Sequence, residues 1–350
     1  MAALLTDSRH WKYRAMLGVG GIGSGMFFAL NHNHTLGREE SRSGHFLDQK
    51  DYCKLHIISH YVQALLGPEF CCLPVGMVGQ DEVGTRLIAE MAEIGLDTRW
   101  VSRCAGAQTL FSFCFLYPDG TGGNLTSDDS ACERVDAAYV ARTEVDFLRF
   151  ENAGVALAVP EVPLPAREKI LELGTDHHFL RVASFSSEEI GQAVTRGMVQ
   201  QCDWLAMNVD EAAAAAGLQP DQPGVEGLVR AAVERLTRLN PCLRLSITAG
   251  KAGSWVWDGQ RLDHQPALDM PVVSTAGAGD AHLAGILVGM IAGLGVPACH
   301  EMGCLVAALS VTSPHTLDKR IGKDALCDFM QNKPHPISKA IQGLLSPEGS

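Results

Sequence analysis

The feature that most constrains this chain is its strand–helix alternation. Short apolar runs at 155–159, 179–183, 203–207 and 243–248 read as strands. Between and after them, residues 165–173, 187–200, 210–216 and 225–239 carry helical periodicity. Five or six apolar residues bounded by turn residues suit a strand buried on both faces. Strands that alternate with helices pair in parallel, with helices covering both sides of the sheet. The rhythm extends to the N-terminal part. Tyr13–Val19 reads as a strand ending in glycines. Asp51–Leu66 reads as a helix with Leu55, Ile58, Val62, Leu65 and Leu66 on one stripe. Cys71–Val78 is a buried strand, and Asp81–Ile94 is a helix stopped by Gly95. Trp255–Trp257 is a further strand. The predicted fold class is α/β, a doubly wound, mostly parallel sheet flanked by helices.

Two stretches break the rhythm. Residues 31–50 are polar and irregular. In Leu110–Tyr117 the aromatic residues Phe111, Phe113, Phe115 and Tyr117 fall on one face, and Pro118-Asp119-Gly120 then turns the chain, which predicts a hairpin from Leu110 to Leu125. Such a stripe suits a core face, or a surface that packs on a second subunit.

With 350 residues and 46% apolar content the chain can bury a sizeable core. We read it as a single domain over 1–350. A net charge of -12 disfavours a nucleic-acid backbone or an anionic membrane as partner. The 11 Cys include no Cys-x-x-Cys pair, and the first residues carry no long apolar stretch. Both suit reduced thiols in the cytoplasm. The apolar run Leu283–Val296 is broken by glycines and too short to span a bilayer, so it predicts a buried helix.

Three glycine-containing segments could meet a ligand. Gly18-Val-Gly20-Gly-Ile-Gly23 fits G-x-G-x-x-G after a strand. However, Glu39 and Glu40 follow a polar stretch with no strand before them, so a dinucleotide site is not expected there. Ser274-Thr275-Ala276-Gly277-Ala278-Gly279-Asp280 follows a possible strand end at Met270–Ser274 and opens the apolar helix. Small residues at a helix start leave N–H groups free for an anion. A carboxylate beside that site, Asp280, suits a proton acceptor for a hydroxyl nucleophile. The alternative is that Asp280 only complements the helix dipole. Asn208-Val-Asp-Glu211 ends another strand with oxygen-bearing side chains, and Thr248-Ala-Gly250-Lys-Ala-Gly253 ends a third. Strand C-terminal ends are where open α/β sheets bind ligands.

These segments resemble the PfkB, or ribokinase-like, carbohydrate kinase family. The family's D-T-x-G-A-G-D signature corresponds to Ser274 through Asp280, and its N-x-x-E motif to Asn208 and Glu211. Its T-x-G-x-x-G turn corresponds to Thr248, Gly250 and Gly253. Val75-Gly-Met-Val-Gly-Gln-Asp-Glu-Val-Gly84 is similar to its G-x-x-G-x-D-x-x-G segment. The resemblance runs in order from about 68 to 315. It implies a ribokinase-like domain with a small β lid, formed here by residues of about 31–48 and 108–126. It implies ATP and Mg2+ as cofactors and a monosaccharide or related polyol as acceptor. Asp280 would be the general base, and the backbone of Gly277, Ala278 and Gly279 the anion hole. Asn208 and Glu211 would help order magnesium through water, and Thr248, Gly250 and Gly253 would border the nucleotide. A homodimer through the lid is compatible with it. A nucleoside kinase and a non-catalytic ligand-binding protein are the alternatives on the same fold.

The chain departs from the family pattern in two places. Ser274 replaces the usual first Asp. In the N-terminal third, the usual acceptor-binding residues are missing. Arg38, Arg42, Asp48 and Lys50 could replace those contacts, or could equally be a solvated loop. His56 and His60, spaced i, i+4, read as helix histidines. His282 and His315 could line the nucleotide pocket.

Overall fold

The structure, a computed structural model, describes residues 11–119, 122–218, 224–332 and 337–345. The N-terminal part contains β1 (Ala15–Val19), β2 (Gly23–Leu30), β3 (Gly44–Tyr52), α1 (Lys54–Leu66), β4 (Cys71–Gly79), α2 (Glu82–Glu93) and β5 (Val101–Cys104). The hairpin β6 (Leu110–Leu116) and β7 (Gly122–Thr126) follows, then the short helices α3 (Ala137–Ala141) and α4 (Glu144–Arg149). The strand–helix repeat then runs β8 (Gly154–Ala158), α5 (Leu164–Asp176), β9 (Leu180–Ala183), α6 (Ile190–Thr195), α7 (Met198–Gln201), β10 (Trp204–Asn208), α8 (Val209–Ala216), α9 (Val225–Leu239) and β11 (Arg244–Thr248). β12 (Ser254–Trp257), β13 (Leu262–Gln265), α10 (Ala278–Ile291), α11 (Val296–Ser310), α12 (Lys323–Asn332) and α13 (Lys339–Leu345) complete it.

Nine strands form the main sheet, in the order β13-β12-β11-β10-β9-β8-β1-β4-β5. The pairs from β11 through β5 are parallel, and β12 and β13 close one edge antiparallel. Every residue of β1 is buried. Its side chains alternate between two cores, as a strand covered on both faces requires. Met16 belongs to the core that includes α1, α10 and α11, whereas Leu17 and Val19 belong to the core that includes α5, α8 and α9. The predicted doubly wound sheet is therefore present. α10 is buried all round from Ala281 to Ile291, which is why its sequence shows no polar face.

A second sheet has the order β3-β2-β6-β7. The hairpin predicted for Leu110–Leu125 is β6 paired with β7; Gly120 of the predicted turn lies outside the described residues. Three local expectations are corrected. Residues 31–50 are not irregular throughout, because 44–52 form β3. The helix read as Asp51–Leu66 therefore begins at Lys54. Met270–Ser274 form no strand. They run beside the end of α11, where Val273 and Ser274 N–H groups donate to Val311 O. The aromatic stripe of β6 is not a core face. Leu110, Ser112 and Cys114 are buried, and Phe111 is 42% exposed.

Candidate active site

The sheet orders its strands outward from β1 in two directions, toward β4 on one side and toward β8 on the other. That reversal opens a crevice at the C-terminal strand ends. The loops after β1, β8, β10 and β11, and the start of α10, belong to that edge.

Gly277 is the N-cap of α10 in the left-handed region, with φ of 80°. A Cβ there would lie 2.2 Å from Thr316 O. Only glycine fits, and its conformation starts the helix with no side-chain cap. Ala278 N–H turns back to Thr275 O at 3.2 Å. The N–H groups of Gly279 and Asp280 stand in the first turn, where a helix has no internal acceptors for them. Ser274 Oγ accepts from Ala276 N at 3.3 Å, so this serine shapes the turn. Gly253 has φ of 90°, and a Cβ there would meet Gln265 O at 2.1 Å. Thr248 Oγ1 lies 3.6 Å from where a Cβ of Gly279 would sit, so the β11 turn and the helix start adjoin.

Asn208 and Glu211 form a capping box on α8. Asn208 Oδ1 accepts from Glu211 N at 2.8 Å, and Glu211 Oε2 accepts from Asn208 N at 2.8 Å. Glu211 Oε1 faces the other way, toward Lys54 Nζ at 3.4 Å. Lys54 is the first residue of α1, and its Nζ also lies 3.9 Å from Asp280 Oδ1. The starts of α1, α8 and α10 thus converge on one ammonium and two carboxylates.

Two further carboxylates join them. Asp51, at the end of β3, is 8% exposed and accepts from Ser112 Oγ, with Cys114 Sγ 3.5 Å away. Glu161, after β8, has φ of 75°, a strained conformation for a residue with a Cβ. Its Oε2 is buried with no hydrogen-bond partner among the described residues. A Cβ on Gly21 would come within 2.5 Å of that oxygen. This assigns the Gly18–Gly23 loop a structural task. It leads into β2 rather than a helix, so the dinucleotide fingerprint is incomplete, and Gly21 leaves room for Glu161.

Burial raises the Asp280 pKa to about 6; Glu211 and Asp51 push the same way and Lys54 opposes them. Burial also lifts Glu161 to about 7, against its contact with the Cys53 thiol and the Lys54 charge. Asp51 is raised by burial, against hydrogen bonds from Ser112, Cys114 and Thr316. For Lys54, burial disfavours the ammonium, but Asp280, Glu211 and Glu161 outweigh it and hold its pKa above the ordinary range. A half-buried cation beside acids with raised pKa values suits proton transfer beside an anion.

The four acceptor-side candidates lie apart from this cluster of contacts. Arg42 is held by Glu40 and by Thr35 O in the β2–β3 loop. Arg38 is exposed in the same loop, and Asp48 and Lys50 are exposed on β3. Only the Lys50 backbone is engaged near the site, where its N–H donates to His315 Nδ1 at 3.0 Å and its carbonyl accepts from Thr316 N at 3.2 Å. His282 does not line the crevice. It is 2% exposed, with its ring 5.7 Å from that of His300. His56 and His60 are buried helix histidines whose ring nitrogens have no partners among the described residues. Sequence reasoning missed Asp51, Lys54 and Glu161. The available signal was that charged residues bordered otherwise apolar elements at strand–helix junctions.

Comparison with known proteins agrees with the fold. Fructoselysine 6-kinases of Shigella flexneri and of Escherichia coli (strain K12) are each 37% identical to this chain over 65 residues. That match spans 19% of this chain and a quarter of the length of those relatives. The ribokinase of Giardia lamblia superposes with a TM-score of 0.76 at 17% identity, covering 90% of this chain and 99% of that one. The ribokinase of Cryptococcus neoformans var. grubii serotype A in complex with ADP gives 0.75 at 15% identity, covering 91% and 100%. Arabidopsis thaliana ribokinase complexed with ribose and ATP gives 0.66 at 17% identity, covering 95% and 99%. The fold is ribokinase-like. Residues 62–320 match the model of the pfkB family carbohydrate kinases, and the chain belongs to that family.

Proposed function

We propose that this protein transfers the γ-phosphoryl group of ATP to a hydroxyl of a monosaccharide or related polyol. The observation that carries the reading is Asp280, a carboxylate with pKa raised to about 6 at the uncapped start of a buried helix. In that role Asp280 takes the proton of the acceptor hydroxyl as the oxygen attacks the phosphorus. The backbone from Gly277 to Gly279 meets the transferred group. The Ala278 N–H, already turned to Thr275 O, contributes least. Thr248, Gly250 and Gly253 border the nucleotide. Lys54 balances charge between Asp280 and Glu211 and faces the incoming phosphates.

Glu211 Oε1 and Asp280 are oxygen donors that fit a hydrated magnesium ion. Asn208 is less suited, because its side-chain oxygen is already taken by the Glu211 N–H. Bound magnesium would neutralise phosphate charge, and Glu211 would orient its water.

On the acceptor side, Asp51 and Glu161 are the groups positioned to hold acceptor hydroxyls. We propose that the β3-β2-β6-β7 sheet is a lid within a single-domain chain. Its edge leans on the 31–48 segment, where Leu36 N donates to Tyr117 Oη at 3.1 Å and Asp119 N to Asn33 Oδ1 at 3.0 Å. The acid-rich acceptor side, together with the partial match to fructoselysine 6-kinases, makes an amine-bearing sugar the first acceptor to try. The test is ATP consumption across sugars, amine-bearing sugars, polyols and nucleosides. Turnover with a sugar and none with nucleosides is expected. Turnover with nucleosides alone would replace the acceptor class, and none with any acceptor would favour a binding protein.

A further inference from the structure

A second group of side chains lies behind the catalytic helix. His300 and Cys304 sit four residues apart on α11, so they share one face. That face packs on α10 at His282, and it can do so closely because Gly303 has no side chain. A Cβ on Gly303 would lie 2.8 Å from His282 O and 3.1 Å from the His282 ring. One ligand atom from each of His282, His300 and Cys304 lies within 4.8 Å of the others. Cys304 Sγ is 4.0 Å from His282 Nε2. A tetrahedral ion with metal–sulfur near 2.3 Å and metal–nitrogen near 2.0 Å sets that separation at about 3.5 Å. Side-chain adjustments of about an ångström or less close the set.

The surroundings favour metal over a plain hydrogen-bond network. Asp263 Oδ2 lies 3.2 Å from His300 Nδ1. That partner holds the proton on Nδ1 and turns the Nε2 lone pair inward, the carboxylate–histidine arrangement that supports metal-bound imidazole. Ser254 Oγ is 2.8 Å from His300 Nε2 and 3.3 Å from Cys304 Sγ. Its hydroxyl can leave the imidazole and donate to a thiolate without moving far. A cavity of about 140 Å³, bordered by Asp263, Arg261, Pro297 and His300, leads to the cluster from the side of β13.

We propose that His282, His300 and Cys304 form a binding site for a soft or borderline transition-metal ion of the zinc class. Two imidazoles and a thiolate select such an ion over magnesium or calcium. A water completes the tetrahedron. Binding releases the Cys304 thiol proton to solvent. Ser254 directly follows Gly253 of the nucleotide turn, and His282 lies two residues beyond Asp280. The ion would therefore tie the nucleotide turn to α10 and α11.

The experiment titrates the full-length, metal-free protein with Co2+ in a non-thiol reductant. The expected result is one equivalent bound, tetrahedral visible bands with a sulfur-to-cobalt charge-transfer band, and displacement by Zn2+. Cys304→Ser should abolish the charge-transfer band, and Asp263→Asn, which leaves all three ligands in place, should weaken binding about 10- to 100-fold. Circular dichroism and ATP affinity show that each variant is folded. Failure of the wild-type protein to bind one equivalent, or a charge-transfer band that survives in Cys304→Ser, would overturn the proposal.

Discussion

On one side of Asp280 the crevice wall is backbone, and on the other it is side chain. On the function proposed above, the nucleotide side is made of Gly250, Gly253, Gly277 and Gly279 and the bare start of α10. On the same proposal the acceptor side is made of Asp51, Glu161 and the hydroxyl of Ser112, with Lys54 between the two sides. A backbone wall would bind groups common to every nucleotide, and at Gly253 and Gly277 it admits no side chain, since a Cβ there collides with a carbonyl oxygen. A side-chain wall can be exchanged residue by residue to suit a different acceptor. The contrast teaches where donor and acceptor specificity are kept, and it can be broken by mutation.

The largest effect is expected at the junction of the two walls. Asp280→Asn should slow turnover by about 10²–10⁴-fold, with ATP affinity by calorimetry close to wild type. Next comes Asp51→Asn, on the acceptor wall. Altering a buried, hydrogen-bonded carboxylate should cost about 1–3 kcal/mol, roughly 5- to 150-fold in the KM for the acceptor. The KM for ATP should stay unchanged, and an equal rise in both would dissolve the distinction between walls.

A smaller effect concerns stability. The Glu161 pKa is raised to about 7, so the folded state holds this proton more tightly than the unfolded chain does. Stability should therefore fall as pH rises from the ordinary carboxylate range through about 7. Glu161→Gln should remove that loss, raising the melting temperature by about a few degrees at pH 8 and little at pH 5. A variant less stable at both pH values would mean that Glu161 supports the fold instead. The smallest effect on the site is expected at the outer face of the lid sheet. Phe46 and Leu125 are 58% and 63% exposed there, beside Phe28 and Phe113, which suits packing on a second copy. Phe46→Asp should shift the sedimenting species from dimer to monomer with ATP affinity unchanged. A wild-type monomer would remove the dimer from the account.

The same contrast explains what could be read in advance. Backbone sites need glycine at fixed spacing, so Thr248 through Gly253 and Gly277 through Asp280 stood out as motifs. Buried parallel strands are apolar throughout, so 155–159 and 243–248 fall within one residue of β8 and β11. The acceptor wall left weaker marks. β3 carries charges on an exposed sheet edge, and a register shift between Met26 and Phe27 disturbs its pairing with β2, so its periodicity was masked. On β6 the polar residues face inward and the phenylalanines outward, the reverse of the usual rule. Ser112 is buried because Asp51 lies behind it. Glu161 is separated from Asp51 and Lys54 by more than a hundred residues. The pairing of β1 with β4 and β8 helps to bring their segments together.

The most direct test of the account is the pH dependence of kcat/KM for a confirmed acceptor at saturating ATP. It reports the base in the enzyme–ATP complex before the acceptor binds. With Asp280 titrating at about 6, the value should be flat above that pH and fall about tenfold per unit below it. The limb should persist in Glu161→Gln, which removes the neighbouring acid of raised pKa. A profile that stays level down to pH 4.5, or a limb that vanishes with Glu161, would contradict Asp280 as the group that takes the acceptor's proton.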